Sequence, residues 1–373
     1  MRTNVTAITT PAGDPAWLAT GYDTVKRLLA DPHLGRSHPA PEQASRYTDA
    51  AVLGRPIGTP DTEQAEHTAM RRMLSRSFSA KRLAHLRPRV QDLVDGLLDD
   101  IERAGAPADL HEALAFPLPA LVICELLGVP YDDRDDFRRW SDGVADMTDR
   151  VRSDEAEQRL EDYMKGLLDR KRLDPAEDVL TDMLAFQRSA PELTDERIVT
   201  LAAGLLFAGH ETTVSAIDRG VLLLLLHPGQ RAALQADPNL VPSAVEEILR
   251  LPNPVTGPPA RIPRYATGNI DVDGTLIRAG DLVVLDLENA NLEESVFKAA
   301  ADFDITRTNN AHVAFGHGPH YCIGAPLARI ELQAVFGTLF HRFPDLRLAV
   351  PFDELRPRDN LLTGGVRELP VSW

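Results

Sequence analysis

The chain has 373 residues with 40 lysines and arginines against 56 aspartates and glutamates. A formal charge of −16 argues against a nucleic-acid or anionic-membrane partner and leaves small molecules and proteins. At 43% hydrophobic and 26% charged, with 28 prolines and 24 glycines in no repeat, the composition is that of a soluble globular protein rather than a disordered or collagen-like one.

Residues 1–14 are polar and lack an apolar run, so no secretory signal is expected and the cytoplasm is the expected location. Helical signals then dominate to about Arg250, punctuated by proline and glycine. Asp23 and Thr24 are placed to cap a short helix through Leu29 that Pro32 ends, and periodic segments follow near 67–78, 82–103, 111–127, 131–147 and 154–173. Cys124 lies in the apolar run 121–127 and reads as an inert buried thiol. Two cysteines are too few for a disulfide framework and suit a reducing compartment.

The most apolar stretch is Ile198 to Leu226, but His210, Glu211, Asp218 and Arg219 near its middle would be costly in lipid, so it predicts a long buried helix. At its centre stands Ala208-Gly209-His210-Glu211-Thr212-Thr213. Glycine there leaves room for a ligand, and the Thr212 hydroxyl can bond back to the carbonyl of Ala208 and bend the helix. A solvent-facing polar turn is the plainer alternative.

After Arg250 the texture changes. Residues 270–276 alternate around Asp273-Gly274 and predict a hairpin, followed by a strand from Leu282 to Leu287. Residues 288–323 have little periodicity before helix signals resume from Gly324 to Phe340, and long irregular segments inside compact proteins are usually functional. The chain is mainly α with a small β region: a helix-rich part at about 65–250 and a β-richer part at about 251–373. With no repeat and no obvious linker, one unit spanning 1–373 is expected, although the length exceeds the roughly 250–300 residues at which single cores stop growing.

Within the irregular segment, Phe315-Gly316-His317-Gly318-Pro319-His320-Tyr321-Cys322-Ile323-Gly324 delivers one thiol to a helix N-terminus, where unsatisfied N–H groups and the helix dipole favour a thiolate. A charged thiolate there could be a nucleophile, a metal ligand or an accident of structure. Zinc and iron–sulfur ligation fail on ligand count, whereas an axial bond to haem iron needs a single thiolate. In spacing, Phe315, Gly318, Cys322 and Gly324 match the haem-binding loop of the cytochromes P-450, and the chain resembles that family over essentially its whole length.

The resemblance implies a single large triangular domain of the cytochrome P-450 fold and a bacterial-type haem-thiolate monooxygenase. On it, Cys322 is the proximal ligand of haem b and Ile323 part of the proximal packing, with Phe315, Gly316 and Gly324 in the same loop. Glu211 and Thr212 relay protons beside Ala208 over the distal face, and Glu247, Arg250 and Arg307 form a structural network. His67 and Arg71, four apart on one helix face, would reach the propionates with His320. One more propionate arginine is expected before the hairpin: Arg264 is preferred over Arg261. Gly204, Phe207, Ala260, Ile262 and Leu362 would line a mainly apolar pocket for a hydrophobic natural product, free or carrier-tethered.

Electrons would come from NAD(P)H through ferredoxin reductase and ferredoxin. The stretch from Thr68 to Arg89 holds Arg71, Arg72, Arg76, Lys81, Arg82, Arg87 and Arg89 and no acidic residue, a cationic patch suited to an acidic ferredoxin. A monomer is expected. The other readings are oxidative coupling or rearrangement of a tethered substrate, and a haem-binding protein without turnover. Relative to the family the N-terminus is short by roughly one helix, Glu63-Gln64-Ala65-Glu66 replaces Asp-Pro-Pro-Glu, and Ala290-Asn291-Leu292-Glu293-Glu294 replaces Ala-Asn-Arg-Asp-Pro.

Overall fold

In a computed structural model describing residues 4–130, 133–190, 193–255 and 259–373, the chain opens with β1 (Val5–Thr9), β2 (Pro15–Ala19), α1 (Tyr22–Leu29) and β3 (Leu34–Gly35). Helices follow: α2 (Pro60–Leu74), α3 (Ala80–Ala104), then the short β4 (Ala108–Asp109), α4 (Pro117–Leu127), α5 (Arg134–Ala145), α6 (Arg150–Leu173), α7 (Val179–Gln187), α8 (Asp195–Leu226), α9 (Pro228–Ala236) and α10 (Val241–Arg250). The rest is β5 (Arg261–Ala266), β6 (Ile270–Val272), β7 (Thr275–Ile277), β8 (Leu282–Asp286), α11 (Leu287–Asn291), α12 (Ala325–Arg342), β9 (Arg347–Leu348) and β10 (Pro370–Ser372).

Helix α8 organises the core because it is apolar on nearly every face. Thr194 caps it by accepting the Arg197 N–H, and Ile198, Ala202, Leu206, Val214, Ile217 and Val221 are all buried. Two glycines set its crossings. A Cβ at Gly220 would lie 2.1 Å from the Phe336 ring of α12, and one at Gly209 would lie 2.8 Å from Ile123 of α4. Gly209 is therefore a packing residue, and the expectation that it makes room for a ligand is corrected. The capping Ser79, Asp149 and Asp178 start α3, α6 and α7 in the same way.

The β region does not simply follow the helices. The five-stranded sheet has the order β1-β2-β8-β5-β3, so three of its strands precede the first long helix. Pro263 sits opposite Val284 in β5, where β3 no longer flanks the strand and no ladder N–H is needed. The hairpin β6–β7 turns at Asp273 (φ 53°) and Gly274 (φ 86°), both positive as a type I′ turn requires. At α1 the capping position is Gly21, without a side-chain cap, instead of Asp23 or Thr24. The segment 111–127 begins as a π-helical turn at His111–Ala115 before α4, and α7 falls in a stretch for which no helix was expected.

Glu247 and Arg250 lie at 0% and 1% exposure and are joined by bonds of 2.7 and 2.8 Å, with Arg307 3.1 Å from the same carboxylate. Arg250 also donates to the carbonyls of Asn291, Ala300 and Asp302, which pins the irregular segment against α10. Asn291 in turn accepts the Val313 N–H at 2.8 Å, two residues before Phe315.

Candidate functional site

The Cys322 loop is built on backbone geometry. Gly316 (φ 73°) and Gly318 (φ 71°) adopt left-handed conformations, and a Cβ at Gly318 would lie 2.9 Å from the Ala30 backbone. The Cys322 N–H donates to Phe315 O at 2.9 Å, closing the loop just before α12. Backbone N–H groups of Gly324 and Ala325 face the sulfur and favour the thiolate, as do Arg71 and Arg329. Burial outweighs them and pushes the thiol up, so the expectation of a depressed pKa is corrected for the protein alone. A cation bound at the sulfur reverses that balance. Cys322 is nevertheless exposed by accessible surface, whereas Cys124 is buried and pushed up to about 12, an inert thiol.

Phe315 lies beneath the Arg329 guanidinium at 4.6 Å, and Arg329 forks onto Glu246 at 2.7 and 2.8 Å. Arg329 and His312 together hold Glu246 at about 2 against the cost of burial. Ile323 is half-buried and packs on the main core.

Around this loop basic side chains converge. His67 and His320 stack at 4.0 Å between ring centroids, and Arg71 of α2 donates to Tyr321 O at 2.9 Å. Arg264 is 9% exposed on β5, pulled down to about 10 by burial and then by Arg36. His320 is pushed down to about 4 by burial, His67 and Arg264, and His67 is lowered by burial, Arg71 and Arg264. Arg261 lies on the opposite face of β5, paired with Asp286 at 3.1 Å, so Arg264 rather than Arg261 joins the cluster. Sequence reasoning missed Arg36, which no motif marks, and Glu63. The Glu63 carboxylate accepts the Arg36 and Ser37 N–H groups and the Ser37 hydroxyl, next to Gly35 where a Cβ would lie 2.3 Å from it.

On α8, Thr200, Gly204, Ala208 and Thr212 are exposed at four-residue spacing along a stretch, 198–225, that is otherwise buried or half-buried, and nothing lies within 4 Å of a Cβ built at Gly204. The Thr212 hydroxyl donates to Ala208 O at 2.8 Å, as the sequence predicts. Glu211 points elsewhere: it is 1% exposed, its Oε2 accepts the Thr363 hydroxyl at 3.2 Å and lies 4.0 Å from Arg358, and its Oε1 has no hydrogen-bond partner. This is not the solvent-facing turn of the alternative reading. His210 sits 3.3 Å from Phe116 O and is pushed down to about 4 by burial, so it is neutral near pH 7.

A histidine whose pKa falls on folding contributes stability that is complete above its unfolded value near 6.5 and is lost as pH falls toward 4. His210→Gln is therefore expected to flatten the acid side of the stability profile, by up to about 3 kcal/mol. Urea unfolding of parent and variant at about pH 5 and about pH 7 checks this; equal pH slopes would contradict it.

Phe207 and Leu362 share an apolar cluster with Val144, Ala145 and Val52. Ile262 instead packs with the sheet, on the face of β5 that carries Arg264, and Ala260 is exposed just before that strand. A polar cleft of about 810 Å³, lined by Asp14, Glu42, Arg46, Arg55 and Arg150 among others, opens where residues 41–56 meet α6; the sequence carried no signal for it. In the cationic stretch, Arg82 pairs with Asp182 and Arg89 with Glu125, while Arg72, Arg76 and Lys81 are exposed with no acidic partner among the described residues.

The family model for cytochrome P450 matches residues 114–364. Pentalenolactone synthase of Streptomyces exfoliatus is 46% identical over 365 residues, covering 97% of this chain and 91% of that protein. Mycinamicin IV hydroxylase/epoxidase of Micromonospora griseorubida is 38% identical, covering 99% and 92%. Among solved structures, the putative thioether synthase SgvP superposes with a TM-score of 0.91 at 37% identity, covering 99% and 93%. The mycinamicin VIII C21 methyl hydroxylase MycCI superposes at 0.89 with 36% identity, covering 100% and 94%.

The chain belongs to the cytochrome P450 family. It is a haem-thiolate monooxygenase of specialised metabolism, using dioxygen and electrons from a redox partner to put one oxygen atom into a hydrophobic small molecule. The donor set fits haem: one thiol on a loop of backbone N–H groups, and beside it a cluster of arginines and histidines that depress one another's pKa and, among the described residues, have only Glu63 as a neighbouring carboxylate. Two propionates would relieve that repulsion.

Proposed function

We propose that haem b lies between the Cys322 loop and the Gly204–Ala208–Thr212 stripe, with Cys322 as its proximal ligand and His67, Arg71, Arg264 and His320 binding its carboxylates. The converging arginines carry this reading, because Arg36, Arg71 and Arg264 gathered around two histidines that burial and their charge keep from protonating call for an anion. Bound haem supplies the activation of dioxygen, which amino-acid side chains lack. Phe315, Gly316 and Gly324 shape the proximal loop, and Ala208 keeps the distal face of α8 low. Thr212 presents a hydroxyl already oriented by the Ala208 carbonyl, and Glu211, with one oxygen unpartnered, takes a proton inward to it.

NAD(P)H is the electron source through a ferredoxin reductase and a ferredoxin, the latter docking on Arg72, Arg76 and Lys81, whose charge is opposite to that of an acidic partner. The whole chain, 1–373, acts as one unit and as a monomer in the cytoplasm, with neither nucleic acid nor membrane as partner. Gly204, Phe207, Ala260, Ile262 and Leu362 face a hydrophobic skeleton of terpenoid or macrolide type, free or carrier-tethered. The relatives named for pentalenolactone and mycinamicin support that class. Screening sesquiterpenoids and macrolides for a shift of the resting iron spin state tests it, and no shift with either class would overturn the substrate reading.

Thr212→Ala is expected to raise the hydrogen peroxide released per NAD(P)H consumed and to lower product yield, by about tenfold or more for a lost proton donor. A variant that couples as well as the parent would remove Thr212 from the relay. The similarity to a putative thioether synthase favours one second reading, oxidative coupling. Product mass separates the two, since hydroxylation adds one oxygen and coupling removes hydrogen.

A further inference from the structure

Glu211 is an acid buried to 1% exposure, and an ionised carboxylate at that depth is costly unless a positive charge or several donors reach it. Its donors are few. The Thr363 hydroxyl reaches Oε2 at 3.2 Å, and Oε1 has none. His210 Nδ1 stands 3.7 Å from Oε1, but His210 is neutral and its Nε2 faces the Phe116 carbonyl, so Nε2 carries the proton and Nδ1 offers Glu211 only a lone pair. Among the described residues, the one permanent positive charge within 4.0 Å of Glu211 is Arg358.

Arg358 is itself shared. Its other guanidinium nitrogen binds the Asp142 carboxylate on α5, and its side chain is 11% exposed. The segment that carries Arg358 is stitched on both sides. Met147 N donates to Asn360 O and Leu362 N to Ala145 O, both at 2.9 Å, tying it to the end of α5; Ser215 of α8 donates to Thr363 O at 3.0 Å. Helix α5 also supplies Val144 and Ala145 to the apolar cluster around Phe207 and Leu362.

We propose that Arg358 is a positioning residue that couples α5 to the acid on α8: one guanidinium divided between Asp142 and Glu211 keeps the Glu211 carboxyl group oriented only while α5 is seated over the apolar cluster. The proposal rests on the reading of Glu211 as a proton donor to Thr212. When α5 lifts, Asp142 draws the guanidinium with it and the Glu211 carboxyl group loses the cation that orients it. When α5 closes on a substrate, the acid is set. Arg358 touches neither substrate nor cofactor; it acts through Glu211. A carboxylate at position 142 and a forked cation at 358 are both needed, because a single ammonium cannot bridge two carboxylates in fixed directions.

The test uses the haem-loaded enzyme with a plant-type ferredoxin and its reductase, and reads the hydrogen peroxide formed per oxygen consumed without added substrate, the solvent deuterium isotope effect on that ratio, and amide exchange of residues 134–145. Arg358→Gln is expected to raise the peroxide fraction about tenfold and to change the isotope effect, with Arg358→Lys recovering part of the loss. Asp142→Asn is expected to speed exchange in α5 and to add nothing to Arg358→Gln in the double variant, since residues acting as one unit are non-additive. An Arg358→Gln enzyme that is merely less stable, with the parent's peroxide fraction and isotope effect, would overturn the proposal, and so would strictly additive effects of the two substitutions. Glu211→Gln separates the levels: if it behaves like the parent, the relay reading itself fails and the coupling with it. If Glu211→Gln is impaired while Arg358→Gln is not, only the coupling fails.

Discussion

Cys322→Ser is expected to abolish the strongly red-shifted Soret band of the reduced, carbon monoxide-treated protein while leaving the far-ultraviolet circular dichroism unchanged. The loop does not depend on the sulfur for its shape. Its closure comes from the Cys322 backbone N–H on Phe315 O and from the two left-handed glycines, and serine preserves all of these. What serine lacks is a soft, electron-rich ligand atom, and the N–H groups of Gly324 and Ala325 would instead meet a hydroxyl oxygen. Monooxygenase turnover should fall by about a hundredfold or more, equivalent to about 2.7 kcal/mol of barrier. Retention of the red-shifted band in the serine variant would remove Cys322 from the iron.

Arg250→Met is expected to be the most damaging substitution outside the site. The side-chain volume is nearly kept, but five hydrogen bonds from a buried guanidinium disappear, two to Glu247 and three to the carbonyls of Asn291, Ala300 and Asp302. Glu247 keeps Arg307, Asn310 and the Asp304 N–H, so the carboxylate is not wholly orphaned. The three carbonyls lose a charged donor at depth. Breaking one partner of a buried pair costs about 3–5 kcal/mol. Because Asn291 also holds Val313, the damage should travel to the thiol loop, so haem retention on gel filtration should drop together with the urea midpoint. A variant with the parent's urea midpoint would show that the network contributes little net stability.

The thiol loop was legible in sequence because its chemistry depends on spacing along a single segment. His67, Arg71 and the Glu247–Arg250 pair were legible for a similar reason: helical periodicity places such residues on one face before any tertiary contact forms. What stayed hidden is assembled across the chain. Arg36 follows a two-residue strand with no pattern of its own, and only the pairing of β3 with β5 brings it near Arg264. Strand β5 was not among the expected elements; its Pro263 lacks the N–H of a ladder, and the short reach of β3 makes it tolerable there. The role given to Gly209 failed because a missing side chain looks the same in sequence whether the space is left for a ligand or filled by Ile123. The Cys322 pKa went the other way because local dipoles can be read from sequence and the desolvation that outweighs them cannot.

Helix α8 behaves as a beam clamped at one end. Beyond Thr213 nearly every side chain is buried, and Gly220 is locked against Phe336, whereas the half before it carries the open stripe. At the junction the hydroxyls of Thr212 and Thr213 occupy the carbonyls of Ala208 and Gly209, adding a second acceptor demand to the helix ladder and softening it there. With a rise of about 1.5 Å per residue, a flexure of only about 5° near residue 210 would swing Asp195 by about 2 Å. A small push beside Ala208 is thereby magnified at the far tip, where Asp195 pairs with Arg172 of α6. The lever arm runs from the floor of the site to the protein's outer rim.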